Sequence, residues 1–252
     1  MKLMKPLQLT VLAGLLFTLS CKKRGDYEVP CRIKTITEKY SSNPDDPYEI
    51  TTLHFNYTSW GDPQSLLFDQ VITGRPNYYF YYDNQRRLIK YKQEYFPGNV
   101  ELVSKYKYNS NNFIVSDSTW FAGFDENDPS GFADWWTTLY SYDSQGRVSK
   151  TVMNYANGQV QVDTYNYDAR GNLNGDGSGY DNKKNFLRTN LILAFIHRNY
   201  SMNNATQALS YNSKNLPTSF STDWRNHWAP SFKNLTAHEI TYTCDSPSPD
   251  NF

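Results

Sequence analysis

Short runs in which apolar and polar residues alternate recur along most of the chain, and turn-forming residues separate them. The run from Arg147 to Met153 is one example. A period of two places alternate side chains on opposite faces of an extended strand. The apolar run at 191–196 differs, because its length fits a buried strand or a short helix equally well. The pattern therefore predicts half-buried strands with one segment of undecided structure.

A tyrosine motif, Tyr-Asp/Asn-x-x-Gly/Asn, precedes many of these runs. It begins at Tyr82, Tyr108, Tyr142, Tyr167 and Tyr211, with a looser copy at Tyr57. Several copies are separated by 25 or 26 residues, which identifies an internal repeat. A second aromatic residue stands two positions before most of these tyrosines and falls on the same strand face. We expect such pairs to stack across neighbouring strands.

The motif has the chemistry of a tight turn. Asp or Asn at the first turn position accepts hydrogen bonds from nearby backbone amides, and Gly or Asn three residues later tolerates a positive φ. Arg86 occupies that later position in one copy and predicts a different turn there. Asn157-Gly158 predicts a two-residue hairpin at the opposite end of a repeat, and Pro97-Gly98-Asn99 predicts a turn at the corresponding edge of an earlier repeat. The motif is therefore interpreted as architectural and not catalytic.

These elements predict an all-β fold, an antiparallel β-meander of repeated hairpins that forms an open twisted sheet or a partly closed barrel. A short helix near 186–198 is the alternative to a further strand. The predicted organisation is a signal peptide at 1–20, a linker at 21–30, a single β domain at 31–244 and a flexible tail at 245–252.

The N-terminus has the composition of an export signal. Lys2 and Lys5 precede an apolar run from Leu9 to Leu19 that is too short to span a bilayer. The residues before Cys21 resemble a lipobox, although Thr18 stands where leucine is usual. We therefore expect acylation of Cys21 and attachment to a membrane as the first partner of this protein.

The remaining cysteines predict a crosslink, and the charge argues against one class of partner. Cys31 and Cys244 remain as a pair in an exported chain, so a disulfide is predicted, with two free thiols as the alternative. Without Lys2 and Lys5, 23 basic side chains stand against 25 acidic ones. This balance argues against nucleic acid as a partner, because phosphate binding needs a clustered basic surface.

The repeated tyrosine motif resembles the tyrosine-aspartate (YD, or Rhs-like) repeat. Together with the sequence SCKK at the anchor and YDNKKNFL at 180–187, the chain is similar to Bacteroidetes-type outer-membrane lipoproteins of unknown function built from such repeats. The resemblance covers about residues 50 to 244 and implies a twisted β-meander at the outer membrane, on its periplasmic or surface side. It carries over no functional residue except Cys21.

Candidate chemistry is sparse. The histidines, His54, His197, His227 and His238, have no metal-ligand spacing. The stretch from Asn172 to Ser178 resembles a calcium loop, but Lys183 stands where a bidentate Glu is expected, which favours a plain turn. We predict no cofactor and no metal site.

One region suggests ligand binding. Trp120, Phe121, Trp135 and Trp136 flank an acidic, turn-rich loop and are candidate contacts for a glycan or an envelope protein. The alternative is that these aromatic residues fill the core. The expected function is a non-catalytic binding or scaffold module. A carbohydrate-active hydrolase that uses Asp125, Glu126, Asp128 and Asp134 is the enzymatic alternative.

Overall fold

The computed structural model describes residues 31–40, 49–72, 74–174, 179–204, 208–220 and 237–244, and of residues 38–40, 49, 237 and 238 the backbone alone. The strands within these ranges are β1 Cys31–Tyr40, β2 Glu49–Tyr57, β3 Pro63–Phe68, β4 Asn77–Tyr82, β5 Leu88–Phe96, β6 Asn99–Tyr108, β7 Ile114–Gly123, β8 Asp134–Tyr142, β9 Val148–Tyr155, β10 Val160–Thr164, β11 Ser210–Tyr211, β12 Pro217–Ser219 and β13 Ala237–Cys244. The helix α1 spans Leu191–Ile196, and short 3-10 helices span Pro129–Gly131 and Phe186–Thr189.

The predicted antiparallel meander is confirmed. Eleven strands form one sheet in the order β10-β9-β8-β7-β6-β5-β4-β3-β2-β1-β13, and β11 and β12 form a separate hairpin. The sheet does not close, because β10 and β13 are its two edge strands. The two edges differ, since β12 packs against β13 while β10 pairs only with β9 among the described strands.

The last strand returns to the first one. Cys31 lies opposite Cys244 in the β1–β13 ladder, and the predicted disulfide joins them. The bridge therefore links the start of the meander to the end of the described chain across 213 residues.

The undecided segment is helical and packs against one face of the sheet. The Asn190 side chain accepts a hydrogen bond from the Ile192 amide at 2.8 Å and caps α1. Leu193 and Ala194 are buried in one core cluster with residues of β1 to β5 and β13, and the Phe195 ring packs against Tyr106 and Tyr140. The backbone N–H and C=O groups of a helix hydrogen-bond to each other, so this segment is buried without pairing to a neighbouring strand.

Six tyrosine motifs form the same turn. In each, the residue after the tyrosine receives a hydrogen bond at its carbonyl from the amide three residues on, at 2.9 to 3.1 Å. The later position has a positive φ in every copy: Gly61, Arg86, Asn112, Gly146, Gly171 and Asn215. The prediction of a different turn at Arg86 was wrong, because Arg86 adopts φ 61° and closes the same ring of bonds.

The opposite ends of the hairpins are less uniform. A turn was predicted at Pro97-Gly98-Asn99, and the loop consists of Pro97 and Gly98 between the paired residues Phe96 and Asn99. The Asn157-Gly158 hairpin was predicted with two residues but has three, since the Tyr155 amide bonds the Gln159 carbonyl at 2.9 Å. Its geometry repeats that of the tyrosine turns, with Gly158 at φ 83°.

Candidate functional site

The acid of each tyrosine motif is used within its own turn. Asp143 accepts hydrogen bonds from the amides of Gln145 and Arg147 at 2.9 Å, and its second oxygen accepts one from Arg147 Nε at 2.7 Å. Asp83 repeats these contacts with Gln85 and Arg87. Although partial burial of Asp143 acts to raise its pKa, these hydrogen bonds outweigh it and lower the pKa. The motif acids therefore serve the turns that contain them.

Successive repeats are joined by tyrosine hydroxyls, which form what we call the tyrosine ladder. Each hydroxyl donates to a backbone carbonyl of another repeat at 2.6 to 2.9 Å. The pairs are Tyr57 to Ile33, Tyr82 to Pro63, Tyr108 to Leu88, Tyr142 to Ile114, Tyr167 to Val148 and Tyr242 to Pro217. Most acceptors are the first residue of the strand that follows the neighbouring turn.

Burial favours the neutral form of most ladder tyrosines. Burial raises the pKa of Tyr108 to about 12, against the opposing effect of the nearby Arg87 guanidinium, and burial raises the pKa values of Tyr57, Tyr82 and Tyr167 as well. Arg87 and Arg147 lie over the next tyrosine ring, at 4.9 Å from Tyr108 and 4.1 Å from Tyr167. Ring stacking between equivalent tyrosines was predicted, but the contacts that recur are these cation–π and hydrogen-bond contacts.

The four predicted ligand contacts lie on strands and not in the loop between them. Trp120 and Phe121 lie near the end of β7, and Trp135 and Trp136 lie near the start of β8. Trp120 lies opposite Trp135, whereas Trp136 lies opposite Thr119. Adjacent residues on a strand point to opposite faces, so the set is divided between the two faces of the sheet. Trp135 is 45% exposed, and Trp120 is partly buried beside it.

The outer face beside this tryptophan pair carries lysines over aromatic rings. Lys105 Nζ lies 5.4 Å from the Trp120 ring centre, and Lys90 Nζ lies 3.9 Å from that of Tyr81. Glu126 folds back over this face and contacts Lys90 at 2.9 Å and Lys92 at 3.8 Å. The region is thus a mixed aromatic and charged surface, which we call the outer aromatic face (Tyr79, Tyr81, Lys90, Lys92, Lys105, Trp120 and Trp135).

The carboxylates proposed for hydrolysis are engaged in separate local contacts. Asp125 accepts a hydrogen bond from the Asn127 amide at 2.8 Å, Asp128 from the Ser130 amide at 3.0 Å and Asp134 from the Trp135 amide at 2.8 Å. Asp128 thereby caps the 3-10 helix at Pro129–Gly131. Each of these acids therefore has a hydrogen-bond partner close in sequence, and Glu126 has ion-pair partners in Lys90 and Lys92.

An interior polar cluster on the face that packs against α1 was not foreseen from the sequence. Asp117 of β7 is 5% exposed and accepts hydrogen bonds from Tyr140 at 2.5 Å and Thr119 at 2.8 Å. Burial raises its pKa despite these bonds. Arg198, at φ 49°, lies nearby and approaches Asp163 at 3.9 Å. The position of Asp117 in the alternating pattern of its strand was the available signal, but alternation alone does not show which face of the sheet is buried.

The histidines and the calcium-like loop are structural where they are described. His54 contacts Asp69 at 2.7 Å on the surface, and burial lowers the pKa of His197 well below its usual value. Asn172 is fully buried and exchanges two hydrogen bonds with Asn203. Within the described ranges, no group of three or more His, Cys, Asp or Glu could hold a metal ion.

Several predicted features lie outside the described residues. They are the signal peptide, Cys21, the linker, residues 175–178, His227 and the tail. The side chain of His238 also lies outside the described part of the chain. In the part of the chain that the structure covers, no helix is long and apolar enough to cross a membrane.

Comparison with protein-family models gave no match for this chain, and comparison with curated proteins gave none either.

Proposed function

We propose that this chain is an exported, lipid-anchored module of the outer membrane that binds or scaffolds without catalysis. Its N-terminal composition and the position of Cys21 support export and acylation. Its tyrosine motifs support membership among YD-repeat proteins, because all six copies build the same turn and most are tied to the next by a tyrosine hydroxyl.

The observation that carries the binding role is the outer aromatic face. Trp135 is exposed beside Trp120, Lys105 lies over the Trp120 ring, and Glu126 pairs with Lys90 on the same face. Flat aromatic surface next to hydrogen-bonding groups suits the apolar face and the hydroxyls of a sugar ring. The proposed ligand is therefore a glycan of the cell envelope.

Affinity electrophoresis tests this role with the full chain migrating through gels that contain a panel of envelope polysaccharides. We expect at least one polysaccharide to retard the protein and Trp135→Ala to abolish the retardation. Leu139→Ala is the matched control, because Leu139 is exposed on the same face of β8. Unchanged mobility of the wild-type protein in every gel, or equal effects of both variants, would reject the glycan proposal.

Anchoring is tested separately by fractionation of cells. We expect Cys21→Ala to move the protein from the membrane fraction to the soluble fraction. Cys244→Ala is the control for loss of a cysteine, and it should leave the protein in the membrane fraction. A mass of the mature protein without acyl chains would reject lipidation.

The hydrolase alternative stays a prediction. If the loop acids were catalytic, Asp125→Asn and Asp128→Asn would abolish release of reducing sugar from a polysaccharide that the wild-type protein degrades.

A further inference from the structure

The proposed anchor joins the domain at one defined end of the sheet. Cys31 begins β1 and is bonded to Cys244 at the end of β13. The Tyr57 hydroxyl reaches Ile33 from the adjacent end of β2, just before the turn at 58–62. Cys31 therefore lies at the same end as the tyrosine turns, which we call the tyrosine-turn end.

The tether is about as long as one strand, so it brings this end to the membrane, and the charges of the two ends decide the orientation. Residues 22–30 lie between Cys21 and Cys31, and the ten Cα steps reach at most about 35 Å when fully extended. A strand of ten residues such as β6 is itself about 33 Å long. The opposite, far end of the sheet begins one strand length beyond Cys31.

The side chains exposed at the tyrosine-turn end suit a membrane surface. Trp60 is 42% exposed, and the Arg86 guanidinium lies 5.4 Å from its ring centre. Lys214 is exposed on a further turn. The acids Asp83, Asp143 and Asp168 fold back onto their own turns and pair with Arg87, Arg147 and Arg170. The six turns carry five basic and four acidic residues, so this end has a small positive excess beside its exposed tryptophan.

The far end has the opposite character. Two of its connections, taken with the adjoining strand ends at 94–101 and 123–134, contain six acidic residues and no basic one, and of these Glu94 and Glu126 pair with Lys92 and Lys90. Phe124 is 77% exposed and Phe96 is 61% exposed at the same end. An anionic membrane repels this surface and attracts the other.

We propose that the tyrosine-turn end is a surface for anionic phospholipid bilayers, and that the far end with its acidic aromatic loops projects away from the membrane. The inference rests on the proposed anchor at Cys21 and deepens it. Tryptophan is favoured at the headgroup level, and the arginine and lysine side chains are attracted to lipid phosphates within about 10 Å of the surface at moderate salt. In this orientation the outer aromatic face lies parallel to the membrane normal and stays accessible to a ligand.

Quenching of tryptophan fluorescence by brominated lipids measures this orientation. The acylated full chain is reconstituted in vesicles of equal parts phosphatidylcholine and phosphatidylglycerol, with bromine near the headgroups. We expect quenching in the wild-type protein and in Trp135→Phe, and loss of most of it in Trp60→Phe. Each variant is first shown by circular dichroism to unfold cooperatively like the wild-type protein.

Charge reversal gives a second, independent measurement. Arg86→Glu should reduce the quenching of Trp60 at low salt, and high salt should reduce it in the wild-type protein. Lys105→Glu is the matched control, because Lys105 is an exposed cation on the outer face of β6, and it should leave the quenching unchanged.

The outcomes separate the two proposals. Vesicle-bound protein whose quenching is lost in Trp135→Phe, or absent altogether, would overturn the orientation while the anchor stands. Protein that carries no acyl chain and does not float with vesicles would overturn the anchor and the orientation with it.

Discussion

Removal of a single ladder hydroxyl tests whether contacts between repeats stabilise this sheet. Tyr82→Phe keeps the aromatic ring and deletes the hydroxyl that donates to the Pro63 carbonyl at 2.6 Å. Tyr79→Phe is the same chemical change three residues earlier on β4. The Tyr79 hydroxyl makes no hydrogen bond within the described part of the chain, so this variant controls for loss of the hydroxyl itself.

The expected magnitude follows from the bond and from the group left behind. A neutral hydrogen bond contributes about 1 kcal/mol, and leaving a buried acceptor without its partner adds to that cost. Pro63 is buried, so we expect Tyr82→Phe to lower the free energy of unfolding by about 1 to 2 kcal/mol. Tyr79→Phe should change it by less than about 0.5 kcal/mol.

Urea denaturation followed by circular dichroism measures both variants. With a slope of about 2 kcal/mol per molar urea, Tyr82→Phe should lower the midpoint by about 0.5 to 1 M at an unchanged slope. Equal midpoints for the two variants would refute the idea that the ladder hydroxyls carry stability. A changed slope would instead indicate that the unfolding transition no longer involves the whole sheet.

Further predictions concern pH, the disulfide and the core. Burial raises the pKa values of Tyr57, Tyr108 and Tyr167 above about 10, the usual value for tyrosine. The free energy of unfolding should therefore fall as the pH rises beyond about 10. Tyrosinate absorbance should appear together with loss of the circular dichroism signal. The lowered pKa of Asp143 acts in the other direction, so its contribution should be present above about pH 4 and lost on acidification; Asp143→Ala should flatten this part of the pH profile. Reduction of the bridge between Cys31 and Cys244 should lower the free energy of unfolding by up to about 5 kcal/mol, seen as a lower thermal midpoint. Phe195→Ala should lower the free energy of unfolding by about 3 kcal/mol in urea titrations, because the ring packs between two partly buried tyrosines.

The tyrosine turns were predictable because each one is closed by residues within five positions. The Asp or Asn side chain, its neighbouring amides and the residue with positive φ are all in the motif. Arg86 was misjudged for a related reason. The left-handed conformation costs an ordinary residue about 1 to 2 kcal/mol, but the turn hydrogen bonds of Asp83 outweigh that cost.

The aromatic cluster was only partly predictable. The sequence placed four aromatic residues beside an acidic loop, but it did not show that β7 extends to Gly123 and that β8 begins at Asp134. Strand register decides which face each side chain takes, and a shift of one residue reverses every assignment. The pairing of the strands therefore decided which face Trp135 takes and which face Trp136 takes.

By itself, the sequence determined the local structure of this protein: alternating strands, their turns and their order as a meander, because these depend on neighbours a few residues apart. Tertiary structure alone decided the pairing of β13 with β1, the packing of α1 against one face of the sheet, the ladder of hydroxyls between repeats and the burial of Asp117. Those contacts join residues from about 20 to more than 200 positions apart, so they form only when the assembled sheet brings them together.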